Sequence, residues 1–274
     1  MFDFYYGDEG KIIKHPKDYI IFIKRMLPRW LNGIPDSECL AIWDSLQECS
    51  GDNNKGIIIE TGTGASTICL ALYSVINKRR FMSWDINPCR GSELRAIINE
   101  TIGKSLNVNI WNTWTFIAGS SLDPYLGLKV IKEKELNVDY AFFDSLHTEE
   151  HLVKELNEVL PNFVQGSVVA IDDANYNNKY YNFNYINLQR KKIGLLPVEE
   201  PETNVTNKYY TTIENILRTK YSKILKLKDT YKNNYKDDIF FEYYNGDKSI
   251  MNNFGMEKLD DLSHRFDCWK IEKL

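Results

Sequence analysis

The sequence predicts an α/β protein built on a doubly wound, mostly parallel sheet. Short apolar runs alternate with segments whose apolar residues recur at helical spacing, and this alternation is typical of such sheets. Before the sheet we expect two helices, at residues 16 to 27 and 36 to 49, with Pro28 between them and Asp36 as an N-cap. After it we expect an antiparallel pair of strands.

Each core element follows from a local pattern. The strands are apolar runs with no polar face, as expected for parallel strands covered on both sides. In chain order the central elements are Ile57 to Glu60, a helix from about Ser66, Phe81 to Asp85, a helix from about Ser92, Thr115 to Ala118, Val138 to Phe143, a helix through Leu152 to Leu160, and Ser167 to Ile171. The later elements are a helix at Thr211 to Lys220 and strands at Ile224 to Leu227, Ile239 to Tyr244 and Cys268 to Ile271.

Composition bounds the function. The net charge of -4 leaves no basic footprint, so we expect no nucleic-acid partner. The five cysteines are odd in number and lack CxxC spacing, which argues against a disulfide framework and a structural zinc and favours a reducing compartment. The sequence has neither a signal-peptide pattern at its start nor an apolar run of about 18 residues, so we expect a soluble cytoplasmic protein without a membrane partner.

Carboxylates and a histidine follow two of the predicted strands. Asp144 ends one apolar run, His147 comes three residues later, and Asp172 and Asp173 end the next run. Because a helix separates the runs, they form a parallel crossover, whose strand ends meet at the edge where open α/β sheets bind ligands. This set predicts a divalent-metal site with a base beside it, and oxygen ligands favour magnesium, manganese or calcium.

A glycine turn follows the first strand, from Glu60 to Ser66. Glycines allow a ligand to approach the backbone closely, but Thr67 stands where the nicotinamide dinucleotide fingerprint requires a third glycine. Glu60 would repel a pyrophosphate and suits the amino group of a cationic ligand such as S-adenosylmethionine. Asp85, at the end of the next strand, is placed to accept hydrogen bonds from ribose hydroxyls.

Residues 56 to about 175 resemble the class I S-adenosylmethionine-dependent methyltransferases, which have a Rossmann-like fold. Within that class they resemble metal-dependent O-methyltransferases, and most of all the branch with macrolide-sugar O-methyltransferases, whose base is a histidine at the position of His147. The resemblance implies S-adenosylmethionine and Mg²⁺ as cofactors and gives roles to matching residues. The implied cofactor-binding residues are Glu60, Gly62, Thr63, Gly64, Ser66, Asp85, Gly119, Ser120, Ser121 and Asp144. The implied metal ligands are Asp144, Asp172 and Asp173, and the implied general base is His147.

These roles describe one reaction. A hydroxyl of a sugar or another small vicinal-diol acceptor loses its proton to His147 and attacks the methyl group, while the metal acidifies and orients it. Catechol-type relatives carry a lysine at the position of His147, so the histidine favours a sugar acceptor. Which of Asp172 and Asp173 is the inner metal ligand stays open, as do the acceptor and the hydroxyl that is modified.

Several alternatives compete with this interpretation. Asp144 could cap the following helix, Asp172 and Asp173 could belong to a turn, and His151 could lie on the helix surface or in packing. Residues 147 to 151 also fit H-x-x-E-H, the inverted zinc-protease pattern. Two further functions remain, a catechol- or phenol-type O-methyltransferase and a non-methylating relative of the cephalosporin hydroxylase-like proteins.

The simplest organisation is a single methyltransferase domain over residues 1 to 274, because 43% hydrophobic content allows one large core. Its parts are a helical cover at 1 to 50, the cofactor and metal core at 56 to 175, a segment with a helix at 176 to 220, and strands at 221 to 274. Whether the Asn- and Tyr-rich stretch up to residue 215 forms a lid stays open. So does the oligomeric state, with a homo-oligomer as one alternative.

Overall fold

The computed structural model describes residues 8–34, 36–49, 56–146, 148–172, 174, 191, 194, 196, 213–227 and 266–272. Its helices are α1 (Glu9–Lys14), α2 (Pro16–Met26), α3 (Asp36–Leu46), α4 (Ser66–Ile76), α5 (Pro88–Ile98), α6 (Lys129–Glu133), α7 (Glu149–Val159) and α8 (Ile213–Lys220). Its strands are β1 (Ile57–Thr61), β2 (Phe81–Asp85), β3 (Trp114–Ala118), β4 (Val138–Phe143), β5 (Phe163–Ile171), β6 (Leu225–Leu227) and β7 (Asp267–Ile271).

The described strands form one seven-stranded sheet in the order β3-β2-β1-β4-β5-β7-β6. The first five strands in this order pair in parallel, whereas β7 runs antiparallel to both β5 and β6. The chain moves outward from β1 to β3 on one side and from β4 onward on the other. The topological switch point therefore lies between β1 and β4, where sheets of this kind bind ligands.

The predicted fold class is confirmed, and the differences lie at element boundaries and in two additional helices. Helix α5 begins at Pro88, four residues before the expected start, because the Asn87 side chain accepts a hydrogen bond from the Cys89 N–H and Pro88 suits the first helical position. Strand β5 begins at Phe163, earlier than the expected Ser167. Helices α1 and α6 were not predicted, and the expected strand Ile239 to Tyr244 lies outside the described residues.

Helices cover both faces of the sheet. On one face the N-terminal helices and α4 bury an apolar cluster with Ile58, Tyr140 and Phe142 of the strands. On the other face α7 contributes Leu152 and Leu156 to a second cluster. No helix in the described part is long and apolar enough to cross a membrane. All five cysteines are free thiols, and Cys89 alone is exposed.

A buried ion pair fastens the N-terminal cover. Lys24 Nζ of α2 donates to Asp36 Oδ1 over 2.7 Å, and the two side chains are 5% and 6% exposed. Arg25 Nε donates to the other carboxylate oxygen over 2.8 Å. Asp36 is the first residue of α3 and not the residue before it, so the expected N-cap position is wrong by one residue. Its carboxylate joins α2 to α3.

We therefore expect Asp36→Ala to destabilise the protein by about 3 to 5 kcal/mol, because the substitution leaves the Lys24 ammonium buried without its carboxylate partner. Urea unfolding followed by circular dichroism measures the loss. The matched control is Glu133→Ala, which breaks a half-exposed pair with Lys129 and should hardly move the midpoint. Equal effects of the two substitutions would contradict this account of the N-terminal cover.

Candidate active site at the carboxyl edge of the sheet

Strand register brings the candidate residues into one row. Thr61 of β1 pairs with Trp84 of β2 and with Phe143 of β4, and Phe143 pairs with Ile171 of β5. The next residue on each strand is therefore at the same level. These residues are Asp85, Gly62, Asp144 and Asp172. Neighbouring parallel strands are about 4.8 Å apart, so each member of the row lies beside the next.

Backbone hydrogen bonds continue across this row. The Gly62 N–H donates to the Trp84 carbonyl over 2.8 Å, the Asp144 N–H donates to the Thr61 carbonyl over 2.7 Å, and the Asp172 N–H donates to the Phe143 carbonyl over 3.1 Å. The residues that carry the candidate side chains are thus held by the sheet ladder itself. Their backbone positions are as fixed as those of the core strands.

The glycine turn needs its first glycine for steric reasons. Gly62 has φ +85°, and a Cβ atom there would lie 1.8 Å from the Asp144 carbonyl oxygen. A side chain would therefore clash with backbone and would also have to adopt a left-handed conformation. The absence of a side chain lets the turn after β1 pack directly on the end of β4.

At Gly64 and Gly119 the protein itself does not require the absence of a side chain. A Cβ atom on Gly64 would meet nothing nearer than the Leu31 carbonyl oxygen at 3.6 Å, and one on Gly119 would meet nothing within 4 Å. Gly119 thus faces open space, and Gly64 has room for a Cβ atom without a clash, both at the edge that carries the row. Such a surface allows a ligand to lie directly against the backbone.

Glu60 lies beneath the turn and is fully buried. Its Oε1 accepts from Ser66 Oγ over 2.6 Å, and its Oε2 accepts from Thr67 Oγ1 over 2.8 Å. Thr67 Oγ1 in turn accepts from the Gly64 N–H over 3.1 Å. Burial raises the pKa of Glu60 well above its ordinary value, although the two hydroxyls partly oppose this. The side chains of Glu60 and Ser66 thus bind each other and shape the turn.

Asp85 closes the other side of the turn. Its Oδ2 accepts from the Thr63 N–H over 2.9 Å and its Oδ1 from the Asn87 N–H over 2.7 Å. A guanidinium nitrogen of Arg90 is 3.9 Å from Oδ2. A carboxylate oxygen can accept more than one hydrogen bond, so Asp85 retains acceptor capacity towards a ligand.

The turn after β3 lies beside Asp85, since the Gly119 N–H donates to the Asp85 carbonyl over 2.9 Å. Ser120 Oγ accepts from the Leu122 N–H over 3.2 Å and so stabilises the turn. Ser121 is buried and contacts helix α7, as described below. In this turn only Gly119 offers the open backbone that the predicted ligand contacts require.

Two of the predicted metal ligands, Asp144 and Asp172, are adjacent members of the row. Asp172 is buried and Asp144 is partly exposed. The other two predicted residues of this set, Asp173 and His147, lie outside the described residues. Within the described part, no group of three or more His, Cys, Asp or Glu side chains is arranged to hold a metal ion. The structure therefore places half of the predicted set, as two neighbouring carboxylates.

Helix α7 excludes two of the alternatives. Its N-cap is Thr148, which has an extended conformation and whose hydroxyl accepts from the His151 N–H over 3.3 Å, so Asp144 is not the cap. The zinc-protease pattern requires both histidines on one helix, but α7 begins at Glu149, after His147. The glutamate of that pattern, Glu150, is exposed and paired with Lys154 over 2.7 Å. The H-x-x-E-H match is a coincidence of sequence.

His151, which we expect on the helix surface or in packing, is 18% exposed and lies between α7 and the turn after β3. Its Nε2 lies 3.3 Å from Ser121 Oγ and 3.2 Å from Glu155 Oε1. Glu155 Oε1 also accepts from Ser145 Oγ over 2.8 Å. This polar cluster adjoins the row, and sequence analysis missed Glu155 entirely. The only signal was an i, i+4 His–Glu spacing on a helix, which is common on solvated faces.

The strand order, the glycine turn and the acid after β2 define the Rossmann-like fold of class I methyltransferases, as predicted. Residues 59–174 match a family model described as a methyltransferase domain. This part of the chain is therefore similar to a methyltransferase domain, as predicted. No curated protein matches the chain.

Solved structures similar to this one include several O-methyltransferases. CalS11, a TDP-rhamnose 3'-O-methyltransferase of calicheamicin biosynthesis, has 18% identity over 49% of this chain and 61% of its own, with a TM-score of 0.41. TomG from Streptomyces achromogenes, solved with SAM, has 17% identity over 52% of this chain and 57% of its own, with a TM-score of 0.40. The O-methyltransferase from Bacillus cereus, solved with SAH, has 15% identity over 83% of this chain and 91% of its own, with a TM-score of 0.48. The match thus spans less than two thirds of CalS11 and TomG.

The two turn glycines should respond differently to alanine. We expect Gly62→Ala to cost about 2 kcal/mol or more, because the new Cβ atom meets the Asp144 carbonyl and the residue has positive φ. Gly64→Ala is the matched control and should change stability much less, since its Cβ atom fits. Urea unfolding of both variants checks this, and similar losses in both would contradict the steric account.

The raised pKa of Glu60 predicts a pH-dependent effect of Glu60→Gln. Above the ordinary pKa the unfolded state has released the proton that the folded state still holds, so the wild type loses stability as the pH rises towards the folded pKa. The neutral variant lacks this loss. Its stability relative to wild type, measured by urea unfolding, should therefore increase as the pH rises above the ordinary pKa of 4.5. A difference that stays constant with pH would show that Glu60 is ionised in both states.

Proposed function

We propose that this protein is an S-adenosylmethionine-dependent, divalent-metal-dependent O-methyltransferase. The proposed acceptor is a hydroxyl of a sugar or another small vicinal diol. One observation carries the proposal. Inside a methyltransferase domain, Asp85, Gly62, Asp144 and Asp172 form a row across four adjacent strand ends at the topological switch point. The row has a donor half, at β1 and β2, and an acceptor half, at β4 and β5.

The donor half fits S-adenosylmethionine in shape and charge. When bound, this donor supplies a methyl carbon on a positively charged sulfur. Gly64 and Gly119 leave room against the backbone on both sides of Asp85, whose carboxylate accepts hydrogen bonds from ribose hydroxyls. Several carboxylates at one edge also make the local potential negative, which favours a cationic donor over an anionic nucleotide.

Ile86 extends the donor half. It follows Asp85 directly and is 79% exposed, which is unusual for so large an apolar side chain beside a polar site. The flat face of a purine would cover it and remove apolar surface from water. Sequence analysis did not single out Ile86, because exposure cannot be read from a residue that only follows a strand.

The acceptor half fits a divalent cation. Asp144 and Asp172 supply oxygen ligands from neighbouring strands, and Asp173 would add a third carboxylate. A cation held there would acidify an acceptor hydroxyl and fix its direction. Asp144 and Asp172 contribute to orientation as well, because their backbones belong to the sheet ladder and hold the cation at a constant distance from the glycine turn.

His147 is the proposed general base. It follows Asp144 by three residues, and a neutral imidazole nitrogen can take the proton of an acceptor hydroxyl near neutral pH. The acceptor oxygen then attacks the methyl carbon in line with the sulfur, which leaves as a neutral thioether. A histidine at this position supports a sugar acceptor, since the catechol-type relatives that the sequence also resembles carry lysine.

Asp144→Ala tests the acceptor half. We expect methyl transfer to fall by about 100-fold or more. The loss of a direct metal ligand should reduce activity more than the loss of a residue that only hydrogen-bonds to a ligand. Binding of S-adenosylhomocysteine, measured by calorimetry, should stay within about threefold of wild type. Activity is measured with labelled S-adenosylmethionine on sugar nucleotides and on catechol, with magnesium and with a chelator. Full activity of this variant would refute the metal role.

Asp85→Ala is the complementary variant. We expect its affinity for S-adenosylhomocysteine to fall by about tenfold or more, since it loses a charged acceptor for the ribose hydroxyls. Its residual activity should still respond to magnesium, because Asp144 and Asp172 are unchanged. Unaltered affinity would place the ribose elsewhere and would contradict the proposed donor half.

A further inference from the structure

A buried carboxylate on helix α7 adjoins the site without belonging to the row. The Glu155 side chain is 1% exposed, and its Oε1 accepts from Ser145 Oγ over 2.8 Å. Ser145 follows Asp144 directly in the chain. The same carboxylate oxygen lies 3.2 Å from His151 Nε2, one helical turn earlier on α7. Glu155 thus contacts the second residue of the loop that leaves β4.

His151 connects Glu155 to the turn after β3, in the other half of the site. Its Nε2 is 3.3 Å from Ser121 Oγ, in the turn after β3 that also contains Gly119. Three segments that are distant in sequence therefore meet at one polar cluster, made of Ser121, Ser145, His151 and Glu155. The segments are the turn after β3, the loop after β4 and the first half of α7.

The helix gives this cluster a rigid base. Leu152 and Leu156, on either side of Glu155 along α7, are buried in the core against the sheet. Glu155 therefore has a fixed position relative to β4. Hydrogen bonds to a carboxylate are roughly twice as strong as those between neutral groups, and a buried carboxylate that lost its donors would be strongly disfavoured. The carboxylate consequently constrains Ser145 more strongly than a neutral acceptor would.

We propose that Glu155 is a positioning residue for the acceptor half of the site. It holds Ser145 to α7 and so fixes the direction in which the chain leaves Asp144 towards His147. Through His151 it also ties this loop to the turn after β3. This inference rests on the proposed function, because it concerns the loop that carries the proposed ligand and base. Glu155 itself touches neither reactant.

Four substitutions test the proposal. Glu155→Leu removes the carboxylate but keeps an apolar side chain of similar size, and Ser145→Ala removes only the hydroxyl. Glu155→Gln keeps an oxygen that can accept from Ser145. The matched control, Glu150→Gln, makes the same exchange at an exposed position of the same helix. All four are compared with wild type for kcat, for affinity towards S-adenosylhomocysteine and for folding.

We expect Glu155→Leu and Ser145→Ala to lower kcat by about tenfold or more, while affinity for S-adenosylhomocysteine stays within about threefold. Glu155→Gln should restore most of kcat, and Glu150→Gln should match wild type. A folded Glu155→Leu protein with wild-type kcat would overturn the proposal. So would an equal loss in kcat and in donor affinity, because that pattern indicates general loosening of the domain.

A second measurement does not depend on activity. Hydrogen exchange at the Thr148 amide, which donates to the Leu146 carbonyl over 2.7 Å, should be about tenfold faster or more in Ser145→Ala and unchanged in Glu150→Gln. Unchanged exchange in Ser145→Ala would overturn the positioning role even if Glu155→Leu did not fold. A wild-type protein that transfers no methyl group and binds no S-adenosylhomocysteine would refute the proposed function, whereas the exchange rates would still decide whether Glu155 holds the loop.

Discussion

Because β2, β1, β4 and β5 run parallel with aligned register, the residues that follow them emerge at one level. The pairing of Thr61 with Trp84 and with Phe143 sets this level, and a shift by one residue would turn every side chain to the opposite face. Gly62 is equally necessary, since its missing side chain allows the turn to close on the Asp144 carbonyl. The distance between the donor and acceptor halves is thus a property of the sheet.

This arrangement concentrates negative charge, which the protein manages differently at each residue. Asp85 is stabilised by two backbone N–H groups, whereas Glu60 receives two hydroxyl hydrogen bonds and has a raised pKa. Asp144 and Asp172 lie side by side at the edge. Bound cations would relieve the repulsion among the carboxylates, and this supports the cationic donor and the metal ion that we propose. The same charges oppose the pyrophosphate of a dinucleotide.

The sequence patterns predicted which residues end the strands of the row. They did not predict the burial and the hydrogen bonds of the residues around the row. The end of β2 at Asp85 and the end of β4 before Asp144 follow from short apolar runs, and parallel connection then brings them together. The burial of Glu60 could not be predicted, because it depends on how the first turn of α4 folds back over β1. The contact between His151 and Ser121 was equally hidden, since a helix sequence shows which residues share a face but not what that face meets.

Asp144 lies shortly before helix α7, where an acidic residue could serve as the N-cap. Acidic residues there commonly cap the helix, but Thr148 performs that task in α7. The Asp144 backbone is held by Thr61 through its N–H and packs on Gly62 through its carbonyl, and the next residue is held by Glu155. Helix initiation therefore does not depend on the Asp144 carboxylate. The Asp144 backbone is thereby fixed relative to the glycine turn and to α7, as the proposed role of a metal ligand requires.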